Sequence, residues 1–291
     1  MDNREKKQRQ EERARSRARQ RAEQDVVYTQ PKPFNRNRFF LQLGTVVAVV
    51  LAVLFGMSIF FKVGDIQISG NQKYDAWTVR EASGILDGEN LLTLSKAKIA
   101  GNIIDKLPYA DDVRIGIKLP DTVVIQIKEL DTVYSIQDQA GAWWLISSHG
   151  RVVDTCTADN AGKYTKIMGV KLSNPTVGNS GVAYELPPKT DKEGATVPVT
   201  VYEKERLAAT VTVLEEMEKA GFIGTMVSVN VQDMGKIELW YDTRFQIILG
   251  NTDNISQKMQ DLYTVITMQL GENATGILDI SNGKLKHNQF S

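Results

Sequence analysis

Cysteine occurs once, at Cys156, and histidine twice, at His149 and His287. A single thiol excludes an intramolecular disulfide, so the folded part must rest on ordinary hydrophobic cores, and Cys156 reads as a buried small residue. Two isolated histidines and one cysteine are too few for a structural zinc site, which asks for three or four ligands at short spacing. They also leave little for nucleophilic hydrolysis, which needs a base within reach of its serine or cysteine. His149 sits in the turn SSHG beside Ser147 and Ser148, with Asp154 nearby in sequence, and reads as a solvent-exposed turn histidine. Asp87 and Glu89 of LDGEN leave room for an oxygen-ligand site, but the twelve-residue calcium pattern is absent and a solvated loop is expected. No Walker loop, dinucleotide fingerprint or paired-carboxylate pattern for glycan cleavage stands out. No cofactor is expected.

Charge is missing altogether from Phe39 to Phe61, FFLQLGTVVAVVLAVLFGMSIFF. A spanning helix needs roughly 20 predominantly apolar residues. Phe39 and Phe61 bound the run, with Arg36 and Arg38 on one side and Lys62 on the other, as at a membrane interface. A cleaved signal peptide has a shorter apolar run after a short basic start. Here 38 polar residues precede a longer run without small residues at its end, which favours a retained anchor.

The formal net charge is zero, but residues 1–38 hold 12 Lys and Arg against 6 Asp and Glu, leaving 23 against 29 beyond the span. Excess Lys and Arg beside a span marks the cytoplasmic side. Arg36 and Arg38 thus serve as the topology signal, residues 1–38 form a basic and mostly disordered cytoplasmic tail, and residues 62–291 lie outside. The run RARSRARQR at 13–21 has three readings: a topology signal, a contact with anionic lipid, or a nucleic-acid contact. No nucleic-acid partner is expected.

Beyond the span, Val63, Ile66 and Ile68 alternate with polar residues as a strand does, and Gly70-Asn71 marks a turn. Helical spacing follows through Trp77, Val79, Ala82 and Ile85, and again from Ser95, a candidate N-cap, through Ile99, Ile103, Ile104 and Leu107 to Pro108. Two alternating strands, 113–118 and 123–128, flank Leu119-Pro120-Asp121-Thr122. The order βααββ predicts a small three-stranded sheet covered on one face by two helices.

A second, strand-rich domain begins near Thr132 with hairpin strands at 133–136 and 143–146 and a further strand at Val152-Val153. From 174 to 198 the prolines 175, 187, 188 and 198 suggest a long surface excursion. An amphipathic helix is expected at 202–220 with Leu207, Val211, Leu214 and Met217 as its apolar face. Strands follow near 227–231, 237–241 and 245–249. A second long helix spans 255–270, presenting Met259, Leu262, Val265, Ile266 and Gln269. The fold class is therefore α+β: one N-terminal transmembrane helix (39–61), a βααββ domain (62–130), a mixed-sheet β domain with two long helices (131–285), and a C-terminal tail (286–291).

The pieces VGDIQISGN, VREASGILDGENLLTL, IIDKLPYADDVRIGIKLPDTVVIQIKE and VYSIQDQAGAWWLISSHGRVVD resemble the POTRA domain and following β domain of the FtsQ/DivIB cell-division family. FQIILGNTDNISQKMQDLYTVI resembles that family's strand, Gly, helix with a Lys, strand arrangement, and Gly276–Ile280 its closing strand. Ala110 stands where Val is usual and Asp131-Thr132 where a Pro would be expected, with the spacing intact.

The resemblance implies a non-catalytic divisome scaffold at the septum, single-pass, with its N-terminus cytoplasmic. It would join coiled-coil proteins of the FtsB/DivIC and FtsL classes to the septal peptidoglycan synthase. Carried onto this chain, the partner-binding strand is Gly276, Ile277, Leu278, Asp279, Ile280 and Ser281, with the turn Asn282-Gly283 and the tail from Lys284 and Leu285 to Phe290. That tail is alternatively a disordered end, and Ile277, Leu278 and Ile280 alternatively core residues. A POTRA-bearing export or envelope-assembly factor and a membrane-anchored wall enzyme remain the alternative functions.

Overall fold

The computed structural model describes residues 3–24, 35–185 and 202–289. The chain forms two compact units, Met1–Met57 and Ser58–Ser291. In the first, Asn3–Gln24 is a helix (α1) where the sequence suggests a mostly disordered tail. Its composition of Arg, Lys, Gln, Glu and Ala supplies strong helix formers throughout, so local propensity suffices without any packed face. Helix α2 (Arg36–Phe60) is exposed along its length, and it is long and apolar enough to cross a membrane. It starts three residues before the apolar run because Asn35 Oδ1 accepts the Arg38 amide at 3.3 Å, as a capping residue does. At the other end the helix stops at Phe60. Phe61, read as its last residue, instead turns half-buried against the core of the domain that follows.

The second unit begins with the βααββ domain: β1 (Asp65–Ser69), α3 (Ala76–Ser83), a single 3₁₀ turn (Leu91–Thr93), α4 (Lys96–Lys106), β2 (Ala110–Lys118) and β3 (Thr122–Glu129). Asp75 caps α3 by accepting the Thr78 amide at 2.7 Å, and Ser95 caps α4 by accepting that of Lys98 at 3.3 Å. The sheet order is β1-β3-β2, with β1 parallel and β2 antiparallel to the central β3. Val79 and Ala82 of α3 and Ile99 and Ile103 of α4 bury against Val123, Ile125 and Ile127. The alternation read in the sequence is thus the pleat of a one-sided sheet.

The second domain runs β4 (Tyr134–Gln137), β5 (Trp143–Ile146), β6 (Val152–Cys156), a one-turn α5 (Ala158–Ala161), β7 (Thr165–Met168), α6 (Glu203–Ala220), β8 (Met226–Asn230), β9 (Ile237–Tyr241), β10 (Phe245–Gly250), α7 (Ile255–Thr264), β11 (Gly276–Asp279) and β12 (Lys286–Asn288). Among the described residues these strands form one mixed sheet in the order β12-β11-β10-β9-β8-β7-β4-β5-β6. Helices α6 and α7 share a core with one face of it, through Leu207, Val213, Leu214, Met217, Met259 and Leu262. Val213 rather than the expected Val211 completes the buried stripe of α6, while Val211 lies half-buried. Past Thr264 the helix widens into a π turn, Val265–Gln269, closed by Leu270 N–H to Val265 O at 2.9 Å. The extra residue shifts the helical phase, so Gln269, expected on the apolar face, is exposed.

Of the proline-containing excursion, residues 174–185 are described and Pro187, Pro188 and Pro198 lie outside the described residues. Glu185 ends the described part on α6: its carboxylate accepts the amides of Glu203 at 3.0 Å and Lys204 at 2.9 Å, satisfying two orphan donors of the helix start. Cys156 is half-buried at the end of β6, not in the core as read from the sequence.

Candidate functional site: the terminal edge of the sheet

The family's binding strand corresponds here to β11 and the residues after it. Gly276, Leu278 and Ile280 are buried, the last two in the core against the helices, while Ile277 and Asp279 lie on the opposite, half-exposed face. Leu278 and Ile280 are therefore packing residues. Strand β11 has neighbours on both sides: β10 runs parallel to it, Phe245 opposite Gly276, and β12 antiparallel, Asn288 opposite Ile277 and Lys286 opposite Asp279. Its backbone is consequently paired on both edges. The residues read from the sequence as the partner-binding strand, Gly276–Ser281, thus lie one strand inside the edge, and Lys286–Asn288 of the segment read as the tail 286–291 is strand β12. The edge of the sheet is β12.

Three local devices hold β12 in place. Asp279 Oδ1 accepts both the Ser281 amide at 2.9 Å and the Ser281 hydroxyl at 2.7 Å, and these bonds hold its carboxyl below the usual carboxylate range. Gly283, at φ +71°, closes the turn by donating to Ile280 O at 2.9 Å. Beyond it, Leu285 packs on the core and His287 is half-buried. The His287 ring stands edge-on to Phe245, with centroids 5.9 Å apart, and its Nε2 lies 3.1 Å from Thr275 O. Lys284, Lys286 and Asn288 are exposed. The alternation Leu285-Lys286-His287-Asn288 after Asn-Gly was the sequence signal for this hairpin, and four residues are too few to outweigh a tail reading.

The face of the sheet away from α6 and α7 carries cross-strand rows fixed by register. One runs Lys166, Ser228, Trp240, Gln246, Ile277, Asn288, and the next Met168, Asn230, Glu238, Ile248, Asp279, Lys286. Toward the β12 edge the first row alternates Trp240, Gln246, Ile277 and Asn288, while in the second Ile248 lies between Glu238 and Asp279.

The other candidates fall elsewhere. His149 is exposed, with Nδ1 2.8 Å from Glu215 Oε1 and Nε2 3.6 Å from Asp111 Oδ1, so carboxylates rather than Ser147 or Ser148 occupy its nitrogens. Asp154 instead accepts the Tyr109 hydroxyl at 3.1 Å. Asp87 pairs with Arg80 at 2.5 Å. Among the described residues, no three His, Cys, Asp or Glu side chains converge as a metal site. Arg36, Arg38 and Phe39 are exposed on the first turn of α2.

Residues 61–129 match the FtsQ-type POTRA domain. The chain is 29% identical over 150 residues to the cell division protein FtsQ of Corynebacterium glutamicum, a stretch covering 50% of this chain and 64% of that relative. It is 22% identical over 207 residues to the cell division protein DivIB of Clostridium tetani, covering 71% of this chain and 70% of the relative. It is also 22% identical over 222 residues to DivIB of Clostridium acetobutylicum, covering 76% and 80%. With an apolar helix, an FtsQ-type POTRA domain and then a large mixed sheet in chain order, the chain is similar to the FtsQ and DivIB cell division proteins.

Proposed function

We propose that this protein is a non-catalytic scaffold of the bacterial division complex, anchored by α2 with its N-terminus in the cytoplasm and concentrated at the septum. Its outer domains bind coiled-coil division proteins of the FtsB/DivIC and FtsL classes and, with them, the septal peptidoglycan synthase. The observation that carries the reading is the short strand β12, which ends a nine-stranded sheet with its outer backbone edge uncovered by any described strand. An exposed edge accepts a partner strand by main-chain hydrogen bonds, and the adjoining face supplies pockets for alternate side chains. The names of the FtsQ and DivIB relatives support the cellular setting. The paired histidine His149, bound to Glu215 rather than to a nucleophile, supports the non-catalytic part.

A proline scan of the edge tests the binding mode. Each of Lys286→Pro, His287→Pro and Asn288→Pro is made in the full chain in nanodiscs, and binding of the soluble segment of a coiled-coil partner is titrated. An outward-facing N–H can be removed from an edge strand without disturbing its inner ladder. The position with that N–H should therefore lose partner affinity while thermal stability is kept. Wild-type affinity in all three variants would sink strand addition at β12.

A further inference from the structure

The βααββ domain carries four large apolar side chains exposed to solvent among the described residues: Trp77 at 70%, Leu86 at 70%, Leu92 at 49% and Leu119 at 57%. Their placement is not scattered. Leu86 and Leu92 bracket the loop that the chain bonds to as it leaves the spanning helix. Asn90 Nδ2 donates to Ser58 O at 3.2 Å, Leu91 N–H to Phe61 O at 3.0 Å, Val63 N–H to Glu89 O at 2.8 Å and Gly88 N–H to Val63 O at 3.0 Å. Leu119 sits in the β2–β3 turn, whose Asp121 O accepts the amides of Gly64 at 2.8 Å and Asp65 at 3.2 Å, the next residues of the same exit segment. Trp77 lines a groove of about 360 Å³ together with Ile85 and Leu86.

We propose that this apolar rim is a membrane contact: the βααββ domain rests on the outer leaflet of the membrane its own anchor spans, with Trp77, Leu86 and Leu92 in the headgroup–acyl boundary. The occupant follows from connectivity. Ser58, Ile59 and Phe60 are the last turn of the spanning helix, and the loop that carries Leu86 and Leu92 is hydrogen-bonded to that turn and to Phe61. It therefore cannot lie far from the bilayer surface. A helix end leaves its last carbonyls without intrahelical partners, a cost that grows as water thins out near lipid. Asn90 and Leu91 supply two of the missing donors, so the loop is also what closes the helix at the interface. Tryptophan and leucine above a span, with Lys62 beside them, form the interfacial chemistry by which membrane-surface segments bury their apolar side. The loop's carboxylates do not oppose this, since Asp87 is paired with Arg80 and Glu89 accepts the Leu86 amide at 3.3 Å.

The test uses the full chain in phosphatidylcholine vesicles whose lipids are brominated near the headgroup end of the acyl chains. The Trp77 component of the fluorescence is isolated as the difference between wild type and Trp77→Phe. Quenching of that component by the brominated lipid, shielding from aqueous iodide, and loss of both in Leu86→Ser/Leu92→Ser are the expected results. A Trp77 component that iodide quenches and bromine does not would overturn the proposal. So would shielding that appears only when a soluble division partner is added, which would assign the rim to protein docking instead. Because no partner is needed for the lipid arm, its failure leaves the scaffold reading untouched.

Discussion

The guanidinium of Arg151, on the second domain, lies 2.6 Å from the carbonyl oxygen of Pro108 on the first. It also donates to Ile104 O at 3.0 Å and to Ala110 O, so one side chain gathers a carbonyl of the last turn of α4 and two just beyond the helix. A cation there meets the negative end of the helix dipole. Burial lowers the guanidinium's pKa, with Asp111 nearby opposing that shift, and arginine stays charged at any physiological pH. Around this clamp, Tyr109 donates to Asp154, and His149 lies between Asp111 and Glu215.

Arg151→Ala should therefore loosen the junction between the two domains. It leaves three carbonyls short of a donor and is expected to cost about 3 kcal/mol in urea unfolding, the range for losing charged hydrogen bonds at a half-buried site. Limited proteolysis should then cut between Glu129 and Tyr134, where the domains join. Arg151→Lys should recover part of the loss. A change below about 0.5 kcal/mol, the scatter of ordinary surface substitutions, with no new cleavage would mean that other contacts hold the domains together.

Asp138 ties down the first hairpin of the second domain. Burial pushes its carboxyl up, but the Trp144 indole at 3.0 Å and the amides of Ala140 at 2.8 Å and Ala142 at 2.9 Å outweigh that and leave it below the usual carboxylate range. A group whose folded pKa is depressed adds stability above its unfolded pKa, about 3.9 for Asp, and loses it as pH falls through the folded value. Asp138→Asn should cost about 2 kcal/mol at neutral pH. The gap to wild type should narrow in urea titrations below about pH 4. A pH-independent gap would show that the carboxylate charge contributes nothing.

Much of this architecture is legible in the sequence because burial on one face writes itself as alternation: Val123, Ile125 and Ile127 announce β3, and Ser95 marks the start of α4. Sheet order is not written that way. Nothing in β7 says that it lies between β4 and β8, because neighbours are chosen by the whole core rather than by the strand. Helix α1 carries no apolar stripe to read, and the π turn at Val265 breaks the period that a pattern search relies on. The Arg151 clamp acts on backbone carbonyls, which every residue possesses and no motif encodes. The β12 edge, the centre of the candidate site, was hidden by its length of three residues.

Lys258 is the lysine of the strand, Gly, helix segment, and its role is structural. Its side chain enters the protein from α7, with 4% of the residue exposed, and Nζ donates to Leu249 O and Asn251 O at 3.0 Å each as the chain leaves β10. Burial lowers its pKa, while the carbonyl oxygens satisfy its donors. Lys258→Met keeps the bulk and removes the donors, so the two carbonyls lose their partner, at about 2 kcal/mol. Thermal denaturation should register it without a change in the far-ultraviolet dichroism. A variant as stable as wild type would show that water replaces the ammonium.

Gly276 decides between two ways of adding a partner strand. It sits at φ +143°, and a Cβ there would lie 2.2 Å from Asn288 O and 2.9 Å from Gln289 Cα, both on the backbone of β12 or its continuation. Gly276→Ala must therefore push β12 away from β11, at a cost of about 1–3 kcal/mol for the strain or the lost pairing. Amide exchange at 286–288 should accelerate, while the amides of α6 and β9 stay protected. Partner binding then separates the models. If the partner strand adds to β12, affinity falls with the loss of the docked edge. If it pairs with Gly276–Ser281 in place of β12, the substitution releases a competitor from that edge and affinity holds or rises.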